Sequence, residues 1–493
     1  MKIFKAFGIC TVSLMLCSLL NASERPNVLF IAIDDLNDWV GCLGGNPQAI
    51  TPNIDKLAAE SQVFRKAYCA APLCGPSRTA IMYGVKPSSI GAYGHEGAHD
   101  PRLLLPKESL PLALNFQKNG YQTAGAGKIY HTYRDSSYPK NASGNPQEDR
   151  GWDSFLFKDD SLKANKKSPD YNDENITFGP VSTDNDSDLS DGKFADEMIR
   201  RLKNKSKKPF FFALGLKKPH MPWNAPQKYF DMYDLEKIKV PEVPEHDMDD
   251  LPAIARYVAE HGVGAEFPEG GDHAFMTSKP LLWQRAVRAY LATCTYADAC
   301  IGKMIDALKE SGEYEKTIIV LWSDHGWHLG EKNHWRKHAL WETSTRTTFI
   351  MRVPGLTTPG VRCDQVVSLL DIYPTLSELC TLSTQKLDGT SLVPLLKNAK
   401  TSWDKPAIMN FGPGNYAIRQ DHWRYIRYLD GSEELYDQSN DPEEYKNLAK
   451  KPEFANIIEK LKNFIPNTEA IDPAGAESTF EGLKQFLKNK DKA

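Results

Sequence analysis

The fold is most clearly predicted by the segment PNVLFIAIDD, residues 26–35, in which a continuous apolar run is followed by two adjacent carboxylates. A short apolar run of this kind is typical of a strand that is buried on both faces of a parallel sheet. Asp34 and Asp35 would then lie at the carboxyl end of the strand, the edge of an open α/β sheet where ligands bind. The segment therefore predicts a buried parallel strand that delivers two acids to one site.

Further apolar runs alternate with segments of helical periodicity. Strands are expected at 122–125, 210–214 and 317–322, and helices at 51–60, 112–119, 193–204 and 282–311. This alternation predicts an α/β fold with a large, mostly parallel central sheet flanked by helices. Two long polar insertions, at about 135–191 and 240–280, interrupt the pattern, and they are expected either to form walls of a cleft or to be surface decoration.

The pattern changes after Leu396. Short alternating segments near 417–419, 423–428 and 434–437 precede a helical segment near 455–464. They predict a small C-terminal α+β subdomain with an antiparallel sheet. The expected organisation is a leader at 1–22, a main domain at 23–396 and this subdomain at 397–493.

The N-terminus and the overall charge limit where the protein acts. A basic start, an apolar run over about 6–20 and the small residues Ala22 and Ser23 predict a secretory signal peptide, hence a secreted or periplasmic protein. The alternative is an N-terminal anchor, for which the run is short. The net charge of −4 creates no overall field that would attract nucleic acid or an anionic membrane, so an anionic ligand would have to be attracted locally.

The cysteines of the expected mature chain are few and odd in number. They are Cys42, Cys69, Cys74, Cys294, Cys300, Cys363 and Cys380. A disulfide scaffold is therefore not expected, and at least one cysteine must be free, partnered outside the chain or chemically converted.

Two distant strand ends carry acids. The first apolar run ends in Asp34 and Asp35, and the run at 317–322 is followed by Ser323, Asp324 and His325. Carboxylates that converge this closely repel one another, and a hard divalent cation is the usual remedy. The alternative is that these acids cap the helices that follow. The two pairs together favour a metal site.

Two other strand ends bring a cation beside a histidine. One run leads into Lys217, Lys218 and His220, and the other into Lys128 and His131. A cation next to a titratable imidazole suits an anionic substrate and proton transfer. A single histidine of this kind is more often a packing residue, but the shared position at strand ends favours a role at a site.

Cys74 lies just ahead of a predicted helix, with Arg78 four residues later. A helix N-terminus stabilises negative charge on a nucleophile or ligand. By itself the segment indicates a reactive thiol near an anion site, and the alternative is an ordinary buried cysteine.

The segment CGPSR, residues 74–78, resembles the signature of the type I sulfatases, in which the cysteine is oxidised to formylglycine. The segments 26–35, 324–331 and 434–448 resemble the same family in the same order, so the likeness covers nearly the whole mature chain. His325, the run 218–220 and the run 127–131 look most like the iduronate-2-sulfatase branch. The resemblance implies an alkaline-phosphatase/sulfatase-like fold with the catalytic domain at 23–396.

The resemblance also implies a role for each matching residue. Cys74, as hydrated formylglycine, would attack sulfur, and one calcium ion would be bound by Asp34, Asp35, Cys74, Asp324 and His325. Arg78 and Lys128 would stabilise the hydroxyls of the nucleophile. The remaining roles are sulfate binding by Lys337, protonation of the leaving oxygen by His220, and proton removal from the second hydroxyl by His131.

Substrate and partners are implied only in outline. The branch suggests a 2-O-sulfated uronic acid or related sugar, in a glycosaminoglycan or in algal polysaccharides such as ulvan. Lys128, His220, Lys337 and Trp327 would contact the substrate, and a formylglycine-generating or sulfatase-maturating enzyme would convert Cys74. Nearby side chains that could contact the sugar or simply pack are His328, His334, His338 and Arg346.

Two other functions fit the same residues. One is a phosphate or phosphonate ester hydrolase of the same superfamily, which would share the fold and the metal site. The other is a silent protein that binds sulfated glycan with Cys74 unconverted. The presence of every required ionisable residue argues against the silent protein.

Overall fold

The computed structural model describes residues 25–94, 105, 108–131, 151–156, 171–172, 176–204, 207–261, 271–470 and 480–490. The predicted signal peptide and much of the predicted insertion at 135–191 lie outside these residues. Over the described ranges, no helix has both the length and the apolar character needed to cross a membrane.

The strands of the described residues number sixteen. They are β1 (Asn27–Asp34), β2 (Gln62–Tyr68), β3 (Gln122–Gly127), β4 (Ser154–Leu156), β5 (Tyr171–Asn172), β6 (Thr177–Phe178), β7 (Phe210–Pro219), β8 (Thr317–Ser323), β9 (His328–Leu329), β10 (Trp335–Arg336), β11 (Phe349–Arg352), β12 (Val361–Ser368), β13 (Ala407–Asn410), β14 (Tyr416–Gln420), β15 (Trp423–Arg427) and β16 (Glu433–Asp437).

The α-helices of the same residues number fourteen. They are α1 (Pro52–Ala59), α2 (Cys74–Tyr83), α3 (Pro87–Ile90), α4 (Leu112–Lys118), α5 (Ser190–Lys203), α6 (Gln227–Phe230), α7 (Ala253–His261), α8 (Gly271–Thr277), α9 (Leu282–Glu310), α10 (Glu342–Thr345), α11 (Ile372–Leu379), α12 (Val393–Lys397), α13 (Ala455–Lys462) and α14 (Glu481–Lys490).

The central sheet has the strand order β12-β2-β11-β8-β1-β7-β3-β4 in the described part of the chain. β1 pairs in parallel with β7 on one side and β8 on the other, and β3 extends the parallel set beyond β7. β11 is antiparallel to both of its neighbours, β8 and β2. The predicted large, mostly parallel sheet is confirmed, with the four sequence-predicted strands at its centre.

Side chains of β1 alternate between two hydrophobic cores, one on each face of the sheet. Leu29, Ile31 and Ile33 belong to the core that α9 and α5 cover, whereas Val28 and Phe30 belong to the core on the opposite face. This alternation follows from the two-residue repeat of a strand. Burial on both faces explains why the segment is apolar throughout.

The C-terminal sheet is antiparallel, with the strand order β13-β14-β15-β16. One of its faces packs on α13 through Ile418, Tyr425 and Leu435, and the other face contacts the main body through Ala417 and Tyr436. The predicted antiparallel sheet with a following helix is confirmed. The boundaries at 22/23 and 396/397 stay predictions.

A buried set of charges joins this sheet to the main body, and we call it the C-terminal charge cluster (Glu342, Arg419, Arg424 and Glu444). Arg424 forms ion pairs with Glu342 and with Glu444, the latter with Nε and Oε1 2.7 Å apart. Arg419 donates to the Tyr68 hydroxyl at 2.9 Å, and that hydroxyl donates to Glu342 at 2.9 Å. Burial raises the pKa of Glu342, but the nearby arginines outweigh this effect and lower the pKa to about 2.

Candidate active site

The candidate site lies at the carboxyl ends of β1, β3, β7 and β8, as the sequence predicted. Asp34 is the last residue of β1, and Asp324 directly follows β8. Lys128 follows β3, and His220 follows β7. Cys74 is the first residue of α2, so the thiol lies at a helix N-terminus. Five segments that are distant in sequence therefore meet at one edge of the sheet.

A close backbone contact positions Lys128. Its N–H donates to the carbonyl of Gly215 at 2.9 Å. Gly127 has a φ of 79°, and a Cβ at this position would lie 2.0 Å from the same carbonyl oxygen. Glycine is therefore required at 127, and the tight approach directs the Lys128 ammonium to Asp34 Oδ2 at 2.5 Å.

Four buried residues bring potential ligand atoms within 4.8 Å of one another, and we call them the active-site group (Asp34, Asp35, Cys74 and His325). His325 Nε2 lies 3.2 Å from Cys74 Sγ and 3.4 Å from Asp35 Oδ1. With its proton on Nδ1, His325 donates to the Gly326 carbonyl at 2.9 Å. In that tautomer the lone pair of Nε2 faces the group, as a metal ligand requires.

Arg78 neutralises two of the carboxylates from the first turn and a half of α2. Its Nε lies 2.7 Å from Asp324 Oδ2, and its Nη2 lies 3.2 Å from Asp34 Oδ1. Burial and the Cys74 charge raise the pKa of Asp34, but Lys128, His220 and Arg78 lower it more, to well below its ordinary value. Asp34 is therefore ionised across the physiological range.

Asp324 lies beside the active-site group rather than within it. Its Oδ2 is 3.7 Å from His325 Nε2, and its Oδ1 accepts the backbone N–H groups of Asp35 and His325, each at 3.1 Å. Burial raises its pKa to about 7 despite the opposing charge of Arg78. Its expected role as a metal ligand stays a prediction.

Cys74 is surrounded by cations and has no disulfide. Its sulfur lies 2.9 Å from Lys337 Nζ and 3.8 Å from Asp35 Oδ1. Burial raises the pKa of the thiol, but Lys128, Lys337 and His325 lower it well below its ordinary value. All cysteines of the described residues are free, so disulfide formation does not account for Cys74.

The donor set fits a hard divalent cation. Asp35 Oδ2 is buried and has no hydrogen-bond partner among the described residues, and Asp35 and Asp34 each bring a carboxylate oxygen to the group. Ca²⁺ and Mg²⁺ prefer carboxylate oxygens, and an unpaired buried carboxylate oxygen is costly unless a cation or proton occupies it. Burial lowers the pKa of His325, but Asp324 and Cys74 raise it to about 9, so a proton and a metal ion compete for Nε2.

The two predicted proton-transfer histidines border the group. His220 Nε2 is 3.8 Å from Asp35 Oδ2, and 36% of the side chain is exposed, so this imidazole faces both the group and solvent. Burial lowers the pKa of His131, whereas its hydrogen bond with Cys74 raises it, and the net shift is downward. His131 is therefore a neutral base next to Cys74.

Trp327 lies under the Lys337 ammonium. Its ring centroid is 5.3 Å from Lys337 Nζ, and it packs edge-on against Trp223. The residue is only 2% exposed, so it supports Lys337 from below. Its expected contact with substrate stays a prediction.

The other four side chains that were candidates for contacting the sugar are held by contacts within the protein. His328 and His334 are buried, and His334 Nε2 lies 2.7 Å from the Lys337 carbonyl, which fixes the backbone of that lysine. His338 stacks on Phe411, with ring centroids 5.9 Å apart. Arg346 pairs with Asp38 at 3.1 Å.

Sequence reasoning missed the residues that hold Asp35 in place. The hydroxyl of Tyr290, in the middle of α9, donates to the Asp35 carbonyl at 2.7 Å and accepts the N–H of Asn37 at 3.0 Å. Asp35 has a φ of 61°, an uncommon conformation for a residue other than glycine. Nothing in the sequence around Tyr290 marks it, because its periodicity is that of any buried helical residue.

Comparison with protein families gives two overlapping matches. Residues 26–382 match the family described as Sulfatase, and residues 330–470 match the family described as N-sulphoglucosamine sulphohydrolase, C-terminal. The first match includes every residue of the active-site group.

Individual proteins are similar over most of the chain. A sulfatase of Formosa agariphila is 36% identical over 93% of this chain and 90% of its own. Iduronate 2-sulfatase of Mus musculus is 29% identical over 73% of this chain and 70% of its own.

Solved structures share the fold at lower identity. Phosphonate monoester hydrolase of Agrobacterium radiobacter has a TM-score of 0.70 and 20% identity over 89% of this chain and 94% of its own. A structure in complex with its substrate D-glucosamine-2-N,6-O-disulfate has a TM-score of 0.68 and 22% identity over 95% and 99%. The fold is thus the sulfatase and alkaline-phosphatase-like one that the sequence resemblance implied.

Proposed function

Because this chain belongs to the sulfatase family and is a sulfuric ester hydrolase, we propose that it removes O-sulfate from a sulfated sugar, using formylglycine made from Cys74. The observation that carries the proposal is the active-site group, in which a thiol without a disulfide lies within hydrogen-bond reach of Lys337 and His325. A hydrated aldehyde at this position supplies one hydroxyl whose oxygen attacks sulfur, and a second hydroxyl whose deprotonation expels that oxygen as sulfate while the aldehyde re-forms.

The position of Cys74 Sγ stands in for the formylglycine oxygen. Lys337 Nζ, 2.9 Å from this sulfur, would donate to an oxygen at the same position. Arg78 and Lys128 keep Asp34 ionised and add positive charge to the group. These three buried cations supply the local attraction for an anionic ester that the overall charge of −4 does not provide.

We assign the metal position to calcium, held by Asp34, Asp35, Cys74, Asp324 and His325. The donor set supports this assignment through its carboxylates and the unpaired Oδ2 of Asp35. A bound divalent cation would lower the pKa of the nucleophilic hydroxyl and offset the negative charge of the sulfate.

His220 and His131 divide the proton transfers between them. The Nε2 of His220 faces the group from the solvent side, so it can donate a proton to the oxygen of the departing sugar. His131 is next to Cys74 and has a lowered pKa, so it is neutral and can accept the proton of the second hydroxyl of the hydrated aldehyde. A general acid and a general base of this kind each contribute about 10²–10⁴-fold in rate.

The proposed substrate is the 2-O-sulfate of a uronic acid or related sugar, in a glycosaminoglycan or in an algal glycan such as ulvan. Support comes from the similarity to iduronate 2-sulfatase and to an ulvan-active sulfatase of Formosa agariphila. His220 and Lys337 both lie next to Asp35 of the active-site group, and together with Lys128 and Trp327 they are expected to contact the sulfated sugar.

The test is a substrate panel run with calcium on protein from a host that converts the cysteine. It compares disaccharides sulfated at the 2-O position of uronic acid with disaccharides sulfated at 4-O or 6-O of the hexosamine. The proposal predicts sulfate release from the 2-O substrates with the highest kcat/KM. Hydrolysis of the hexosamine sulfates alone would overturn the positional assignment but not the sulfatase activity.

A second candidate is hydrolysis of phosphate or phosphonate esters, which the structural similarity to phosphonate monoester hydrolase favours. Adding phenyl phosphonate and aryl phosphate monoesters to the same panel separates the two activities. A higher kcat/KM on these esters than on every sulfate ester would make this second candidate the main activity. Binding of sulfated glycan without any hydrolysis would instead indicate the silent glycan-binding protein.

We further propose that the protein acts outside the cytoplasm and depends on a maturation enzyme. The basic and apolar N-terminal segment supports secretion or export to the periplasm. Conversion of Cys74 needs a formylglycine-generating or sulfatase-maturating enzyme, which would have to act before folding because Cys74 is fully buried in the folded chain.

A further inference from the structure

A hydrogen bond within its own loop orients His220. The side chain is 36% exposed, so packing covers it only in part. Its Nδ1 lies 2.6 Å from the carbonyl oxygen of Met221, which fixes the ring and directs Nε2 toward Asp35. The direction of the imidazole is therefore set by the direction of a backbone carbonyl in its own loop.

Lys218 holds the carbonyls on both sides of Met221. Its ammonium donates to the carbonyl of His220 at 3.4 Å and to the carbonyl of Pro222. The residue is 7% exposed, and burial lowers its pKa to about 8. These hydrogen bonds are costly to break, because a buried ammonium without acceptors would have unsatisfied N–H groups.

Asp191, at the start of α5, anchors the other end of the same loop. Its carboxylate accepts the backbone N–H of Lys217 at 3.0 Å and that of Lys218 at 2.8 Å. The backbone of Lys218 is thus tied to a helix, and its side chain is tied to the residues that follow it. The segment from 217 to 222 is held at both ends by buried charges of opposite sign.

We infer that Lys218 is a positioning residue for His220: by binding the carbonyls of His220 and Pro222, its ammonium orients the imidazole that protonates the leaving oxygen. The inference rests on the proposed function, because it assigns Lys218 a role through the proposed general acid. Lys218 itself is not expected to touch the substrate.

The test uses two leaving groups and a matched pair of variants. A sugar alkoxide needs a proton to depart, whereas 4-nitrophenolate does not, so only the sugar sulfate reports on the orientation of His220. Lys218→Met removes the ammonium and keeps a side chain of similar length. Lys217→Met is the control, because the Lys217 ammonium lies over the Phe194 ring, 5.6 Å from its centroid, rather than in the loop.

The expected result for Lys218→Met is a loss of kcat/KM on the 2-O-sulfated disaccharide of about 10²-fold, the scale of a misplaced catalytic group. Its kcat/KM on 4-nitrophenyl sulfate should change little, and Lys217→Met should retain both activities. Equal losses of Lys218→Met on the two substrates would indicate a general structural role and would overturn the inference. So would full activity of Lys218→Met on the disaccharide.

His220→Ala separates the inference from the proposed function. A loss confined to the disaccharide in His220→Ala but absent in Lys218→Met overturns the inference alone. Equal losses of His220→Ala on both substrates would overturn the general-acid assignment as well.

A crystal structure of Lys218→Met is a second test of the inference. We expect His220 Nε2 to move from its position 3.8 Å from Asp35 Oδ2. An unmoved imidazole would contradict the inference.

Discussion

The C-terminal charge cluster and the active-site group both bury acids next to cations, but they differ in whether every carboxylate oxygen has a partner among the described residues. In the C-terminal charge cluster, Glu342 and Glu444 each contact Arg424, and the Tyr68 hydroxyl bridges Arg419 and Glu342. In the active-site group, Asp35 keeps a buried oxygen without a hydrogen-bond partner, and Cys74 forms no disulfide, within the part of the chain that the structure describes.

We therefore expect the C-terminal charge cluster to stabilise the fold and the active-site group to bind a ligand. Removing one partner from a paired, buried set leaves the other charge without compensation, which is strongly destabilising. An incomplete set is already destabilised in the folded protein, because each unsatisfied buried group costs about 1–3 kcal/mol. Substitutions should therefore affect stability at the first cluster and activity at the second.

The largest effect is expected at Cys74. Cys74→Ala should abolish sulfate release, with a loss on the scale of about 10⁶-fold that follows removal of a nucleophile. Its free energy of unfolding should change little, because Lys337 keeps its ion pair with Asp35. Turnover assays and chemical denaturation measure the two quantities.

Cys69→Ala is the matched control for that substitution. Cys69 is equally buried but belongs to the hydrophobic core on one face of the sheet. It should lose stability through the cavity that forms and keep its turnover. A clear loss of stability in Cys74→Ala would contradict the distinction between the two clusters.

The next largest effect is expected from Glu342→Gln. Breaking the C-terminal charge cluster should lower the free energy of unfolding by about 3–5 kcal/mol, while turnover per folded molecule stays unchanged. Chemical denaturation at neutral pH, with activity normalised to folded protein, measures both. A variant with wild-type stability would show that the cluster is not a stabilising contact.

The same glutamate gives a prediction for pH. The pKa of Glu342 is lowered to about 2 from an ordinary value of 4.5, so its contribution to stability is present above pH 4.5. That contribution is lost as the pH falls from 4.5 toward 2, because protonation then favours the unfolded chain. The difference in stability between wild type and Glu342→Gln should therefore shrink in that range.

The smallest effect concerns calcium and Asp35. Calcium should raise the melting temperature of the wild type, with a stabilisation of about 2.7 kcal/mol at a concentration about 100 times Kd. Asp35→Asn should reduce this rise sharply, since Asp35 supplies the unpaired buried oxygen. Asp38→Asn removes a nearby carboxylate that pairs with Arg346 and should keep the full rise. An equal rise in all three proteins would place the calcium elsewhere.

The sequence predicted the parts of the fold that have a local pattern. Residues 26–35 were predictable as a buried parallel strand, because burial on both faces requires a continuous apolar run. Since the carboxyl ends of parallel strands lie at the same edge of a sheet, the meeting of Asp34, Asp35 and His325 was predictable as well. The antiparallel β11 was not predicted. Its four residues look like those of any apolar strand, and its direction depends on the connection that precedes it.

The contacts that complete each cluster could not be predicted from the sequence. Tyr290 holds the Asp35 backbone from the middle of α9, and Arg424 reaches Glu342 from a different sheet. Such pairs are distant in sequence and leave no periodic signal. The substrate contact expected of Trp327 stays a prediction, and its burial under Lys337 could be seen only in three dimensions.

The proposed chemistry depends on conversion of Cys74 to formylglycine. Intact-peptide mass spectrometry across residues 74–78, on protein from its native host, measures this conversion. We expect a peptide whose mass corresponds to replacement of the thiol by an aldehyde oxygen, and which reacts with a hydrazine probe. An unmodified thiol throughout a preparation that releases sulfate at the full rate would show that the activity does not need the conversion.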